Sequence, residues 1–152
     1  MSNRKRAQVD SDSEIDVGKQ REHLYGSAFS RIDEAIDEGY YLEAITLVES
    51  LISDRLESRL GELRGDATGF KPLGNLVRKM KSEETDSELK NIVSNKVDNW
   101  RDRRNTALHE MVKIEKGEKV DWDERMKNNK SVAVDGKEIV REVDNRIRAI
   151  RR

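Results

Sequence analysis

The sequence predicts an all-α, up-and-down bundle of four to five helices. Three observations predict it. One proline and nine glycines in 152 residues leave room for long, unbroken helices. Apolar residues recur at steps of three and four, the period of a single buried helical face. Aromatic residues make up only 5%, and β-branched runs with strand-like alternation are few. The length argues for one domain, residues 19–152, behind a polar stretch, 1–18, that lacks helical periodicity and reads as a flexible tail.

Each element then follows from its own residues. Leu24, Ala28, Phe29, Ile32, Ala35 and Ile36 place a first helix from Lys19 or Gln20 to Glu38, and Gly39 stops it. A second helix runs from Tyr40 or Tyr41 to Leu63 on a stripe of Tyr41, Ile45, Val48, Ile52, Leu56, Leu60 and Leu63. The short break makes these two an antiparallel hairpin. Glu49, Arg55, Glu57, Arg59 and Glu62 lie off that stripe and read as a solvated face with i,i+4 pairs. Gly65 and Gly69 bound a loop; it lacks the lysine and hydroxyl residue of a phosphate loop. Pro72 opens a short third helix bearing Leu73, Leu76, Val77 and Met80. A fourth helix runs from Ser82 or Asp86 to Ile114, with Leu89, Val93, Val97, Trp100, Leu108 and Met111 on one side. The string 115–118 ends it, and Asp121 begins at most a short helix with Trp122 and Met126. Residues 131–137 are ambiguous between a turn and an extended piece. A fifth helix spans Gly136 to Arg151, with Ile139, Val140, Val143, Ile147 and Ile150 inward.

Composition excludes several classes of function. The net charge of −1 is the balance of thirty basic and thirty-one acidic residues, so any anion site must be local. With no cysteine, disulfides and thiolate metal sites are ruled out. No cofactor is expected, and neither histidine has the paired spacing of a metal site. No apolar run approaches the roughly 20 residues of a membrane span, and no signal peptide is visible, so the expected compartment is the cytoplasm. Arg4-Lys5-Arg6 reads as part of a solvated terminus, and His23 as a surface residue. Lys137, Arg141, Arg146, Arg148, Arg151 and Arg152 read as the outer face of the last helix rather than a nucleic-acid strip.

The stretch that carries chemistry is 100–111, Trp-Arg-Asp-Arg-Arg-Asn-Thr-Ala-Leu-His-Glu-Met. On a helical wheel Arg104 falls between Trp100 and Leu108, in the middle of the apolar side. A buried guanidinium costs several kcal/mol unless it is paired. Arg104 must therefore meet a carboxylate inside the fold or face a cleft or an interface. His109 lies ~140° around the axis and ~7.5 Å along it from Arg104. Asn105 and His109, at i and i+4, share a face.

These residues resemble the signature of the HEPN superfamily: arginine, a polar residue, a few more residues, then histidine, late in a long helix. Arg104, Asn105 and His109 match it. The entry Gly39-Tyr40-Tyr41-Leu42-Glu43-Ala44-Ile45 is also similar to small HEPN proteins of bacterial defence and toxin systems. The resemblance covers residues 20–150. It implies a HEPN-like helical domain and a metal-independent endoribonuclease. It also implies homodimerisation that brings two motifs into one cleft, with an antitoxin or other regulatory protein as a further partner. Cleavage of RNA by its own 2′-hydroxyl needs a proton acceptor, a proton donor and a holder for the phosphorane charge. Imidazole exchanges protons near neutrality, guanidinium suits the phosphate, and a carboxamide orients either one. Arg101 and Arg103 are the candidate contacts to RNA backbone. In one toxin subset a tyrosine that the antitoxin modifies stands two residues after the histidine; here Met111 stands there.

Two other readings stand beside this one. A non-catalytic module of the same kind would bind RNA, a nucleotide or a protein. A purely structural helical dimer would have Arg104 as a core arginine paired with a second-helix carboxylate and His109 as a surface histidine.

Overall fold

The computed structural model describes residues 14–66, 69, 71–114, 117, 119 and 121–152. It is an all-α bundle, with no strand among the described residues. We number the helices α1 (Glu14–Glu38), α2 (Tyr41–Arg64), α3 (Leu73–Glu83), α4 (residues 87–109) and α5 (Trp122–Ile150). Helix α4 is one rod of three contiguous parts: α-helical Ser87–Asn91, π-helical Ile92–Val97 and α-helical Asp98–His109. None of these helices is long and apolar enough to cross a membrane.

The order α1, α2 is set by Gly39. Its φ of 85° is a left-handed turn open to glycine, and the Tyr40 N–H then folds back onto the Ala35 carbonyl at 2.7 Å. Helix α2 is central and packs against all four others. Its Ile45, Val48, Ile52, Leu56 and Leu60 are sealed, and each fully buried aliphatic side chain contributes about 1.5–3 kcal/mol. Helix α5 runs antiparallel to both α1 and α4. Lys137 meets Asp33, Lys96 meets Glu142 at 2.7 Å and Arg146 meets Asp86 at 2.7 Å. The end of α1, the start of α2, the end of α4 and the start of α5 therefore lie at one end of the bundle.

Several sequence expectations need correction. Helix α1 starts at Glu14, so the last residues of the expected tail are helical; residues 1–13, Arg4-Lys5-Arg6 among them, lie outside the described residues. Leu24 is 67% exposed, and Tyr25 packs inward in its place. Helix α4 stops at His109, short of Ile114, because Arg125 donates to the carbonyls of Glu110 and Lys113 and takes over from further helical N–H donors. The last helix starts at Trp122 instead of Gly136, so 131–137 is neither turn nor extended. There Val132, Ala133 and Gly136 are buried, and the Trp100 indole N–H donates to the Val132 carbonyl at 2.9 Å. Tertiary packing overrides the local preference of glycine and valine.

Arg55 and Arg59 are not a solvated face. They are 7% and 8% exposed, because a helix packed on four sides buries more than one stripe. Arg59 grips Glu84 with two parallel hydrogen bonds of 2.9 and 2.8 Å. Glu84 also accepts from the backbone N–H groups of Thr85 and Asp86, both at 3.0 Å, and so holds the corner between α3 and α4. Asp86 caps α4 through the Leu89 N–H and accepts two bonds from Arg146. Several cations toward the C-terminus likewise pair within the chain: Lys137 with Asp33, Arg146 with Asp86, Arg148 with Asp144 and Arg151 with Glu62.

This corner predicts a pH dependence. Burial pushes the Glu84 carboxyl up, but Arg59 and the two N–H groups more than offset it, and the net shift is downward. The Arg146 guanidinium and the Leu89 N–H pull Asp86 down to about 2. Both groups are more acidic folded than unfolded, where carboxyls titrate near ~4. Their stabilisation is therefore complete above pH ~4 and is lost as pH falls toward 2. The expected result is a melting temperature that drops between pH 4 and 2, and drops less in Asp86→Asn. An identical acid limb in that variant would remove Asp86 from the account.

Candidate functional site

The second half of α4 is regular α-helix, so its side chains leave the axis at helical intervals and reach different neighbours. Arg104 turns in toward α2, where its Nη2 lies 2.7 Å from Glu49 Oε1. The Arg104 side chain is 14% exposed and that of Glu49 27%. The pair is end-on, and the buried Nε of Arg104 has no hydrogen-bond acceptor. Arg103 turns the other way, to Asp135 at 2.7 Å and to the Ser131 hydroxyl at 3.1 Å on α5. Arg101 lies against Gly74 of α3 and is held by Asp98 at 3.1 Å and Asp102 at 3.8 Å.

Asn105 and His109 face outward. Asn105 is half-buried, and His109, one turn on and the last residue of α4, is exposed. With Arg101 they form a ridge at four-residue steps along one side of the helix. The five predicted site residues therefore do not converge in one subunit. The structure brings together Asn105 and His109, turns Arg104 in toward α2 onto Glu49, and commits Arg101 and Arg103 to carboxylates.

Beyond His109 lies a feature that the sequence reading missed. A cavity of about 260 Å³ opens between the end of α4 and the start of α5, lined by Thr106, Glu110, Met111, Lys113, Arg125 and Asn129. Asn129 is 1% exposed and donates to the Met111 sulfur. The signal was present: Asn129, Val132, Ala133 and Gly136 keep helical spacing, so a polar residue stands on the apolar stripe of α5. Reading 131–137 as non-helical hid it.

What the arrangement can do chemically follows from its parts. His109 is exposed at the end of α4, where a ligand can reach its ring nitrogens. Arg104 is a fixed positive charge close to the surface, with donors left over after Glu49. Among the described residues no three His, Asp or Glu side chains converge as a metal site. Compared with known protein families, curated proteins and solved structures, the chain matches none.

Proposed function

We propose that this protein is a metal-independent endoribonuclease, working in the cytoplasm as a homodimer whose two α4 ends share one composite site. His109 of each subunit serves one proton transfer, Arg104 stabilises the phosphorane charge, and Asn105 orients the imidazole or a phosphate oxygen. The observation that carries this reading is an exposed His109 with Asn105 one turn before it, on the same helix as an arginine that is 14% exposed and held by a single carboxylate. Support for a second subunit comes from the same end of the bundle. Val112, Ile114 and Trp122, 83%, 73% and 56% exposed, follow His109 in the chain, and Tyr40 and Leu42, also exposed, stand at the start of α2 at the same end of the bundle. Exposed apolar residues gathered at one place mark an association surface. A defence effector or toxin restrained by a regulatory protein is the biological setting that suits such an enzyme.

The test is cleavage of mixed RNA in EDTA. His109→Ala is expected to lose about 10²–10⁴-fold in rate with an unchanged melting curve, since the side chain is exposed. Arg104→Lys keeps the charge toward Glu49 but loses the fork, and is expected to fall at least 10-fold. Cleavage that requires added metal, or full activity in both variants, would overturn the proposal.

One observation favours a second reading. The Arg104–Glu49 pair closes within one subunit and is mostly buried. That is the pairing expected of a purely structural helical dimer, with His109 as a surface histidine. It predicts no cleavage under any condition, and Arg104→Lys changing stability alone.

A further inference from the structure

Helix α3 and the segment just before it carry three cations without an ion pair. Lys71, Arg78 and Lys79 have no carboxylate ion pair among the described residues; Arg78 meets only the Asn75 side chain. Lys81 and Arg101 share Asp98, at 2.6 and 3.1 Å. Arg101 also has Asp102 at 3.8 Å, and Glu83, which acts on Lys79, is taken up by two bonds from Arg64. Like charge is felt here: Lys71 and Arg64 hold the Lys79 ammonium below the ordinary lysine range. What sets Lys71, Arg78 and Lys79 apart from other surface lysines without an ion pair, such as Lys90, Lys127 and Lys130, is that they gather about one short helix, with Lys71 close enough to Lys79 to repel it.

Beside them an open groove of about 450 Å³ lies between α3 and α4, with Gly74, Asn75, Arg78, Lys81, Asp98 and Arg101 in its wall, so that Arg78 is the unpaired cation that lines it. Its direction is fixed by two contacts. Lys81 meets Asp98, and Gly74 meets Arg101, so α3 runs antiparallel to α4 and its start points toward the His109 end. Arg101 is also the first residue of the Arg101, Asn105, His109 ridge. From Lys81 to Gly74 the groove is ~10 Å long, and from Arg101 to His109 the ridge adds ~12 Å. The large apolar residues that are exposed lie on other parts of the surface, which disfavours a lipid bilayer on this face.

We propose that the groove between α3 and α4 is a track for the phosphate backbone of single-stranded RNA, and that it leads the strand to Asn105 and His109. The partner is RNA by virtue of the nuclease reading, on which this inference rests; the polyanion-binding surface rests on the charges alone. Lys71, Arg78 and Lys79 provide contacts without sequence preference, and Arg101 hands the strand on to the ridge.

Binding is tested apart from cleavage with fluorescein-labelled oligodeoxyuridine of twenty nucleotides, which lacks the 2′-hydroxyl and stays intact. Fluorescence anisotropy is followed from 50 to 200 mM salt. Lys71→Glu/Arg78→Glu/Lys79→Glu is expected to weaken binding at least 10-fold at low salt and to lower the slope of log affinity against log salt by about 2, three phosphates at roughly 0.7 each. Lys90→Glu/Lys127→Glu/Lys130→Glu makes the same change in net charge on other surfaces and is expected to stay within about 2-fold of the parent. If the first variant fails to fold by circular dichroism, the glutamine versions of the same three positions replace it. Equal loss in both triple variants, or no loss in the first, overturns the track. Tighter binding to phosphatidylserine vesicles or to poly-glutamate than to the oligonucleotide overturns it as well. If His109→Ala proves irrelevant to RNA cleavage while the slope still falls, the nuclease reading fails and the track stands.

Discussion

Gly136→Ala is expected to destabilise the bundle by about 1–3 kcal/mol, against the usual sign for such a change in a helix. Alanine inside a helix normally gains about 0.5–1 kcal/mol over glycine. Here a methyl on Gly136 would stand 2.6 Å from Trp100 Nε1, 2.8 Å from Trp100 Cε2 and 2.8 Å from Val48 Cγ1. None of the three can move cheaply. Trp100 is 1% exposed and tied to the Val132 carbonyl, and Val48 is 0% exposed on the central helix. The added carbon must push α5 away from both α2 and α4 or tilt the indole and break its hydrogen bond, which is the overpacking regime. For a domain of this size the shift corresponds to roughly 2–12 °C in melting temperature. Urea unfolding followed by the Trp100 emission measures it, in a Trp122→Phe background because Trp122 is 56% exposed. Gly74→Ala is the control, since its methyl would come no closer than 3.5 Å to Arg101 Nη1. A Gly136→Ala protein as stable as the parent would mean that the three helices are not in van der Waals contact there.

Gly136 also shows where the sequence was legible and where it was not. As a lone glycine after Val-Ala-Val-Asp it carries the local mark of a turn, and the reason for it lies in a tryptophan thirty-six positions earlier. By contrast, Gly39 and Pro72 act on their own backbone, so the ends of α1, α2 and the start of α3 could be read within a residue or two. The end of α4 depends on Arg125, and the burial of Arg55 and Arg59 depends on Asp144 and Glu84. No local rule sees such partners. The π-helical turn at Ile92–Val97 was equally invisible, because a wheel assumes one period throughout. It lies upstream of Asp98, and for that reason the spacing of Arg104, Asn105 and His109 survived it. An arginine on an apolar stripe announced that it needed a partner; α2 as the source was one of the options, and Glu49 is the residue found there. The cavity beside Asn129 and the unbalanced cations of α3 required the tertiary structure.

Glu84→Ala should give the largest loss of stability from a single substitution, about 3–5 kcal/mol. The Glu84 side chain is 0% exposed and that of Arg59 10%. Removing the carboxylate leaves a guanidinium buried among apolar groups and strips the Thr85 and Asp86 N–H groups of their acceptor. Arg59 keeps only Glu62, at 3.4 Å and partly exposed, too weak a substitute to hold it in place. The size of the effect is not the worth of the pair, and a second variant separates the two. Arg59→Met/Glu84→Gln removes both charges and keeps an amide oxygen for the corner N–H groups. It is expected to recover more than half of the loss in urea unfolding, because an apolar replacement of a buried pair is close to neutral. No recovery would mean that the corner depends on the charge of Glu84 itself rather than on satisfied hydrogen bonds. The corner bears on function through geometry. Glu84 is the residue that sets α3 against α4, and the groove between those two helices exists only while that angle is kept. Glu84→Ala protein is therefore expected to lose the salt-dependent oligonucleotide binding at temperatures below its own unfolding, whereas the Arg59→Met/Glu84→Gln protein keeps it.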